Sequence, residues 1–474
     1  MGGIKQNVVV SRSVADLILS SPEASSAAII DYVMEKVFGD RGAIRRLKPE
    51  YFRELRNAAT LREPFATEAL ADEIRLIERE TPNLVSFCRS LVDQALWERE
   101  SHVKVVEATD SPTCEANLFS LIRDFTAYIT TSVFMGQAFI ESSFSEIENL
   151  WTMDDRFLSL FTGVPRWFPS PGVSTVHPAR RHLLNSLADF HGSIIDWLDG
   201  RDPGMVFSDL DDVSEHIKHQ ALLSKKLGLS PYASASGYVC RLWGLLKDTP
   251  KVIFWNLIHI CSDRELLEDV RKEITPYAKA SRTSRRETGF PIPEQPKVSI
   301  DLKGLQESCP ILKACYYETM RFDSAGISFR QLTSDLDVAE SDSDAALDGL
   351  EKPRKYALER GNYIAISHGA YQKDSRYFQN PTMYDYQRFI KTDSESGKKT
   401  VDGDAFMPFC DGVFEVKGQQ FAESEILAFT AAILALWDIS PAPCVGEWKI
   451  PRQRPNIGLL SPSKDVRVRI KLRV

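Results

Sequence analysis

Apolar residues recur at three- and four-residue intervals through most of the chain, which predicts helices over 24–38, 67–80, 84–97, 114–135, 180–198, 217–227, 237–262 and 264–280. Pro82 separates the second from the third, because proline cannot donate the hydrogen bond that a helix interior needs. Alternation of apolar and polar positions is confined to 7–10, 327–332, 362–366 and 466–472, so the expected fold is mainly α with a small β-sheet. Two helical stretches are apolar on nearly every side, as buried helices are: 237–262 and the run SEILAFTAAILALW from Ser424. Inside the first stands the polar triplet Lys247-Asp248-Thr249, followed by Pro250, which is expected to kink the helix there.

Composition narrows the class without naming it. The chain has 474 residues, 43% of them hydrophobic and 26% charged, the balance of an ordinary globular protein. A net charge of -8 leaves no footprint for nucleic acid. No window reaches 18 apolar residues and no signal peptide is visible, so a cytoplasmic protein without a membrane anchor in this chain is expected. The eight cysteines lack C-x-x-C spacing, and reduced thiols are expected. His259 lies on an apolar helix as a core residue would, and His216 and His219 show no metal-ligand pattern. The stretch 281–287 and the acidic run 333–354 both read as solvated segments, the latter lacking the closing glutamate of a calcium loop.

The most specific pattern is FMPFCDGVFEVKGQQFAE, residues 406–423. Phe409, Gly412, Gly418, Phe421 and Ala422 follow the spacing F-x-x-G-x-x-x-C-x-G-x-x-F-A, with Val416 in the cysteine slot. Upstream, Glu318 and Arg321 stand at i,i+3, where a carboxylate and a guanidinium on one helix face can pair, and Arg388 in YDYQRFI is placed to complete the pair. Together these resemble the cytochrome P450 superfamily, in particular its filamentous-fungal branch related to prostacyclin synthase and the sterol 7-hydroxylases. The resemblance implies one domain over 1–474, with 241–260 as the long central helix, 163–171 as a mid-chain loop and 454–470 as a C-terminal hairpin. It also implies that the N-terminal anchor and part of the first sheet are absent. The chain departs from the family at the haem loop, where Val416 replaces the cysteine, Lys417 a proline and Gln419 a basic residue. A cysteine thiolate drives O–O cleavage by donating electron density to iron, and valine has no lone pair to give. Cys410, six residues upstream on the far side of the glycine turn, is the one thiol of that loop that could stand in.

The resemblance places a small residue at 247, over the face where haem and substrate meet. A lysine there points its stem into that space. Its ammonium either serves a reaction or pairs internally with Asp248 or Glu318 as a plug, since a lone buried charge is costly. The candidate catalytic residues are therefore Lys247, Thr249 and Arg330, the last matching a position that meets a haem carboxylate in the family. Trp243, Asp248, Ala325, Ile327, Ser328, Ile457 and Leu459 are the expected substrate-lining residues, and Glu318, Arg321 and Arg388 the scaffold. No cofactor and no metal is expected. The reading that follows is a haem-independent enzyme of fungal terpenoid biosynthesis, monomeric, acting on a small lipophilic substrate. A pericyclic cyclisation suits it, an intramolecular Diels–Alder reaction of the norbornene-forming kind, because that step needs a folded substrate and a hydrogen bond rather than a redox centre. Two alternatives stay open: a catalytically dead protein that binds a lipophile or props a partner, and a monooxygenase with unorthodox haem ligation.

Overall fold

Alternating burial along Ile327–Leu332 turns Ser328, Arg330 and Leu332 inward, and this strand sits inside a four-stranded sheet. With strands β1 (Gln6–Val9), β2 (Ala24–Ser25), β3 (Lys104–Val105), β4 (Thr113–Asn117), β5 (Ile327–Leu332), β6 (Tyr363–Ser367), β7 (Trp437–Pro441), β8 (Gln453–Arg454), β9 (Ser461–Pro462) and β10 (Arg467–Leu472), its order is β1-β6-β5-β2. A second sheet runs β7-β10-β4-β3, and β8 and β9 form a hairpin. The computed structural model describes residues 6–43, 46–47, 54, 65–107, 111–165, 167, 172–282, 295–403 and 415–473, with the side chains of 415–417 excepted. Phe406, Phe409, Cys410 and Gly412 of the haem-type loop, much of 163–171 and most of 281–287 lie outside the described residues, as do the side chains of Val416 and Lys417.

The helices that matter for function are α1 (Phe65–Glu80), α2 (Leu118–Met135), α3 (Ser145–Asp155), α4 (Pro231–Leu246), α5 (Thr249–Ser262), α6 (Pro310–Phe322) and α7 (Glu415–Leu436). Helices α2, α5, α6 and α7 share one apolar core, built on Phe125, Phe254, Trp255, Leu312 and Phe429. A second core joins α3, α4 and the helix Val173–Leu198 through Leu150, Leu187, Phe190 and Val239. Among the described residues no helix is long and apolar enough to cross a membrane.

Four expectations need correction. Residues 84–95 do not form a helix, and only Leu96 and Trp97 of the expected run do, at the start of the short helix Leu96–Glu100: Leu84 and Val85 are core residues of an irregular segment, tied down by Glu98, whose carboxylate accepts from the Ser86 and Ala95 amides at 2.7 and 2.9 Å. The run 114–135 begins as strand β4, paired with β10, and becomes helix only at Leu118, where the Asp465 carboxylate accepts from the Phe119 and Ser120 amides. That capping group comes from the far end of the chain, out of reach of a local pattern. The stretch 264–280 stops being helical after Ile274, and Ala278–Ser281 pairs as a strand with Lys297–Ile300. The acidic run 333–354 is ordered around Asp344, which accepts hydrogen bonds from Ser11, Ser13 and Tyr377. Burial opposes ionisation of Asp344, but those donors outweigh it and hold its pKa down at about 2.

Candidate active site

The central apolar helix is two helices. Ser230 caps α4 by accepting from the Ala233 amide, and Pro231 follows at the first turn, where its missing N–H costs nothing. Pro250 does the same for α5, so 237–262 is interrupted at Lys247-Asp248 rather than kinked. The interruption turns the Lys247 ammonium onto the Asp248 carboxylate, 4.8 Å from the centre of the Trp243 ring. The C-terminal hairpin passes directly over it. A Cβ on Gly458, whose φ is +83°, would lie 2.8 Å from Lys247 Nζ, so the crossing requires glycine at that point. The Leu459 amide donates to Asp248 Oδ1 at 3.4 Å.

A buried polar hub lies beside the break. Asp154, on α3, accepts from Lys251 Nζ at 2.7 Å, Trp243 Nε1 at 2.9 Å and Asn456 Nδ2 at 3.0 Å. It binds α3, α4, α5 and the hairpin together, and no local pattern points to it.

Thr249 turns the other way, into the junction of α1, α2, α5 and α7. Its hydroxyl donates to Glu425 Oε2 at 3.0 Å. Thr130 Oγ1 stands 2.8 Å from Glu73 Oε1 and 3.0 Å from Glu425 Oε1. One hydroxyl carries one proton and can donate to only one of those oxygens, so the other must itself be protonated. The two glutamates therefore share a proton. Burial drives both pKa values up, Glu425 to about 7 and Glu73 well above the ordinary carboxyl value, with the Glu425 charge adding to the effect on Glu73. Neither residue was expected at the site. Glu73 had a signal, falling with Ala66, Ala69 and Ile77 on the buried stripe of α1, and so had Glu425, the lone charge in the apolar run that follows Ser424.

The other candidates divide by strand geometry. Ser328 and Arg330 face inward, whereas Ile327 is half exposed on the opposite face and does not share their surroundings. Ser328 Oγ lies 2.9 Å from Nε2 of His368, whose pKa falls to about 4 through burial and then the charge of Arg330. Ala325 donates its amide to the Gly458 carbonyl at 2.8 Å, and Ser324 bridges to Leu459, so the segment after α6 meets the hairpin. Ile457 packs against the second core, Leu459 within the first. Glu318 and Arg321 pair through both carboxylate oxygens at 2.7 Å, with Arg388 Nε 3.0 Å from Glu318. Of the two partners considered for Lys247, Glu318 is thus engaged elsewhere and Asp248 is the one it meets.

Two cavities flank these groups. One of about 600 Å³ opens between α1, α6 and the first turns of α7, lined by Leu70, Lys313, Tyr317, Gln420, Phe421 and Ser424. Its floor is one helical turn from Glu73 and Glu425. The other, of about 50 Å³, is lined by Lys247 and the Asp154 hub. The donor chemistry does not fit a thiolate-ligated haem. Position 416 is valine.

Known proteins match this frame. The family model for Cytochrome P450 matches residues 247–470. A cytochrome P450 monooxygenase, poxD of Penicillium oxalicum, is 22% identical over 372 residues, covering 77% of this chain and 66% of that protein. Prostacyclin synthase of Bos taurus is 24% identical over 270 residues, covering 55% and 49%, and 25-hydroxycholesterol 7-alpha-hydroxylase of Rattus norvegicus 21% over 263 residues, covering 54% and 58%. The chain thus spans about half to two thirds of the length of these relatives.

Proposed function

Because the chain belongs to the cytochrome P450 superfamily, we propose that it is a member recruited to haem-independent chemistry: a fungal natural-product enzyme that folds a lipophilic, terpenoid substrate for a pericyclic cyclisation such as an intramolecular Diels–Alder reaction. The observation that carries this reading is Val416 in the ligand slot of an otherwise recognisable cradle. The relatives named as monooxygenases are expected to depend on the thiolate that this position lacks, so their activity is not carried over. A cycloaddition asks for less. It needs a substrate held in a reactive conformer and a preorganised donor to the oxygen that gains charge, in a site that excludes water. The Lys247 ammonium is that donor, with Arg330 the second cation on the inward face of β5. Thr249 supports the helix junction through Glu425. The enzyme acts as a cytoplasmic monomer.

The test uses purified protein and unsaturated pathway intermediates. The expected result is a colourless protein that yields cyclised product without oxygen or reduced nicotinamide. A stoichiometric Soret band together with turnover that requires both co-substrates would overturn the proposal.

A further inference from the structure

Trp243 stands on α4 one helical turn before Lys247, the residue that closes that helix. Residues at i,i+4 are neighbours on a helix surface, so the indole face meets the ammonium, 4.8 Å from the ring centre. An ammonium over an aromatic face is held only as firmly as the ring is.

Two groups three residues apart hold that ring. Phe157 stacks on it, with ring centres 4.9 Å apart and planes inclined by 23°. Stacking fixes the plane of the indole but lets it slide and turn within that plane. Its edge is fixed by Asp154, 4% exposed, whose Oδ1 accepts from Trp243 Nε1 at 2.9 Å. Asp154 lies at the end of α3 and Phe157 opens the next helix, Phe157–Phe161, so one turn of chain supplies both the edge and the face contact.

The second oxygen of Asp154 reaches the hairpin. It accepts from Lys251 Nζ at 2.7 Å and from Asn456 Nδ2 at 3.0 Å, and Asn456 is two residues before Gly458, where the chain crosses Lys247. The ring beside the ammonium and the strand that passes over it are thus tied to the same carboxylate. Asp248 offers no such reference point. It follows Lys247 directly and is a third exposed, so it moves with the ammonium it pairs with.

We propose that Asp154 is a positioning residue for Lys247: through the Trp243 indole and the Asn456 amide it fixes where the ammonium stands. The inference rests on the proposed cyclisation only for the task that Lys247 performs there.

Acylation of the full-length protein with acetic anhydride tests it, with the rate at Lys247 read by peptide mass spectrometry. Lys218, on the helix Glu215–Lys226 with its ammonium 5.0 Å from the Trp197 ring centre, is the internal reference. Truncating Asp154 alone would strand the buried Lys251 ammonium, so two double variants are compared, each carrying Lys251→Met. Asp154→Asn keeps a carbonyl that accepts from the indole, and Asp154→Leu keeps the volume without an acceptor. Lys247 is expected to be acylated several-fold faster in the leucine variant than in the asparagine variant, with Lys218 unchanged. Cyclisation should be slower in the leucine variant by about ten-fold in kcat at an unchanged KM, because a displaced donor binds no less substrate but meets the reacting oxygen badly. Equal rates at Lys247 in the two variants, or a rise at Lys247 matched at Lys218, would overturn the positioning role. Should the leucine variant fail to fold, Trp243→Phe deletes the indole N–H and leaves Asp154 its other two donors, and parent-like acylation of Lys247 there would overturn the role as well. Faster acylation of Lys247 with no cyclisation even by the parent would sink the reaction and leave the positioning role standing, and cyclisation with equal acylation would do the reverse.

Discussion

An ammonium whose counter-ion is its own neighbour in the chain makes a weak plug. Asp248 is 34% exposed and Lys247 15%, so their attraction is screened on one side and the pair is easily exchanged. The same ammonium, with its stem beside Trp243 and the hairpin above, is well placed to act on a substrate oxygen. Lys247→Met keeps the stem and deletes the charge, leaving Asp248 its Leu459 amide donor. The variant is expected to fold as the parent does and to lose about 10²–10³ in single-turnover cyclisation, the usual cost of one preorganised donor. Thr249→Val should lose far less. Parent-like turnover in the methionine variant would return Lys247 to a filling role and make Arg330→Met the next substitution to examine. Lys247 was readable from the sequence because a cation in an apolar helix is anomalous. Lys251, in the same apolar stretch, carried the same signal, but its partner did not, since 97 residues separate Lys251 from Asp154 and no local spacing joins them.

At the level of elements, the ties that fix the site come from groups that bridge distant segments. Arg321, fully buried on α6, donates to both oxygens of Glu318, to the carbonyls of Gln372 and Pro381 at 2.8 and 2.9 Å, and to that of Met383. Glu318 in turn accepts from the Asp385 amide at 2.8 Å. One ion pair thereby holds the whole stretch from 372 to 388 against α6. Arg321→Met strips the buried Glu318 carboxylate of its bidentate partner, leaving it Arg388 and the Asp385 amide, and takes the Arg321 donor from the Gln372 and Pro381 carbonyls; the expected loss is about 3–5 kcal/mol, read as a lower midpoint in urea unfolding. A soluble variant with the parent's midpoint would show the tie to be dispensable. This pair was legible because its spacing lies within one helix turn. The alternation at 327–332 was equally legible and is β5 residue for residue. The errors fell where one apolar run serves two elements. Apolar residues continue across Asn117 from β4 into α2, so periodicity alone carries no mark of that boundary, whereas between α4 and α5 the polar triplet and Pro250 mark the place but not that the helix stops and restarts there. At 84–95 the apolar residues are buried by contacts from elsewhere, with the Trp97 indole donating to the Leu84 carbonyl at 3.2 Å, and no helix is needed to bury them.

Across the whole molecule, the shared-proton pair couples pH to the packing of helices drawn from most of the chain: Glu73 on α1, Thr130 on α2, Thr249 on α5 and Glu425 on α7. Among the described residues, the groups acting on the two carboxyls are each other and the two threonines, and none of them is basic. Both glutamates hold their protons to higher pH folded than unfolded. The folded state therefore binds more protons than the unfolded one between the ordinary value of 4.5 and about 7, and stability from the pair, complete below that window, is lost as pH rises through it. Three buried histidines pull the opposite way. His191 and His368 titrate near 4 and His216 near 3 because burial disfavours their charged forms, so the unfolded chain outbinds them up to about 6.5 and their contribution grows with pH. The parent's melting curve mixes the two trends. A difference separates them, because Glu425→Gln removes the shared proton and leaves the histidines untouched. The melting temperature of the variant minus that of the parent should rise steadily from about pH 5 to about pH 8, as the parent alone acquires a second buried negative charge. A difference that stays flat across that range would mean that the two carboxyls never share a proton in it, and that the four helices meet there without a titrating group between them.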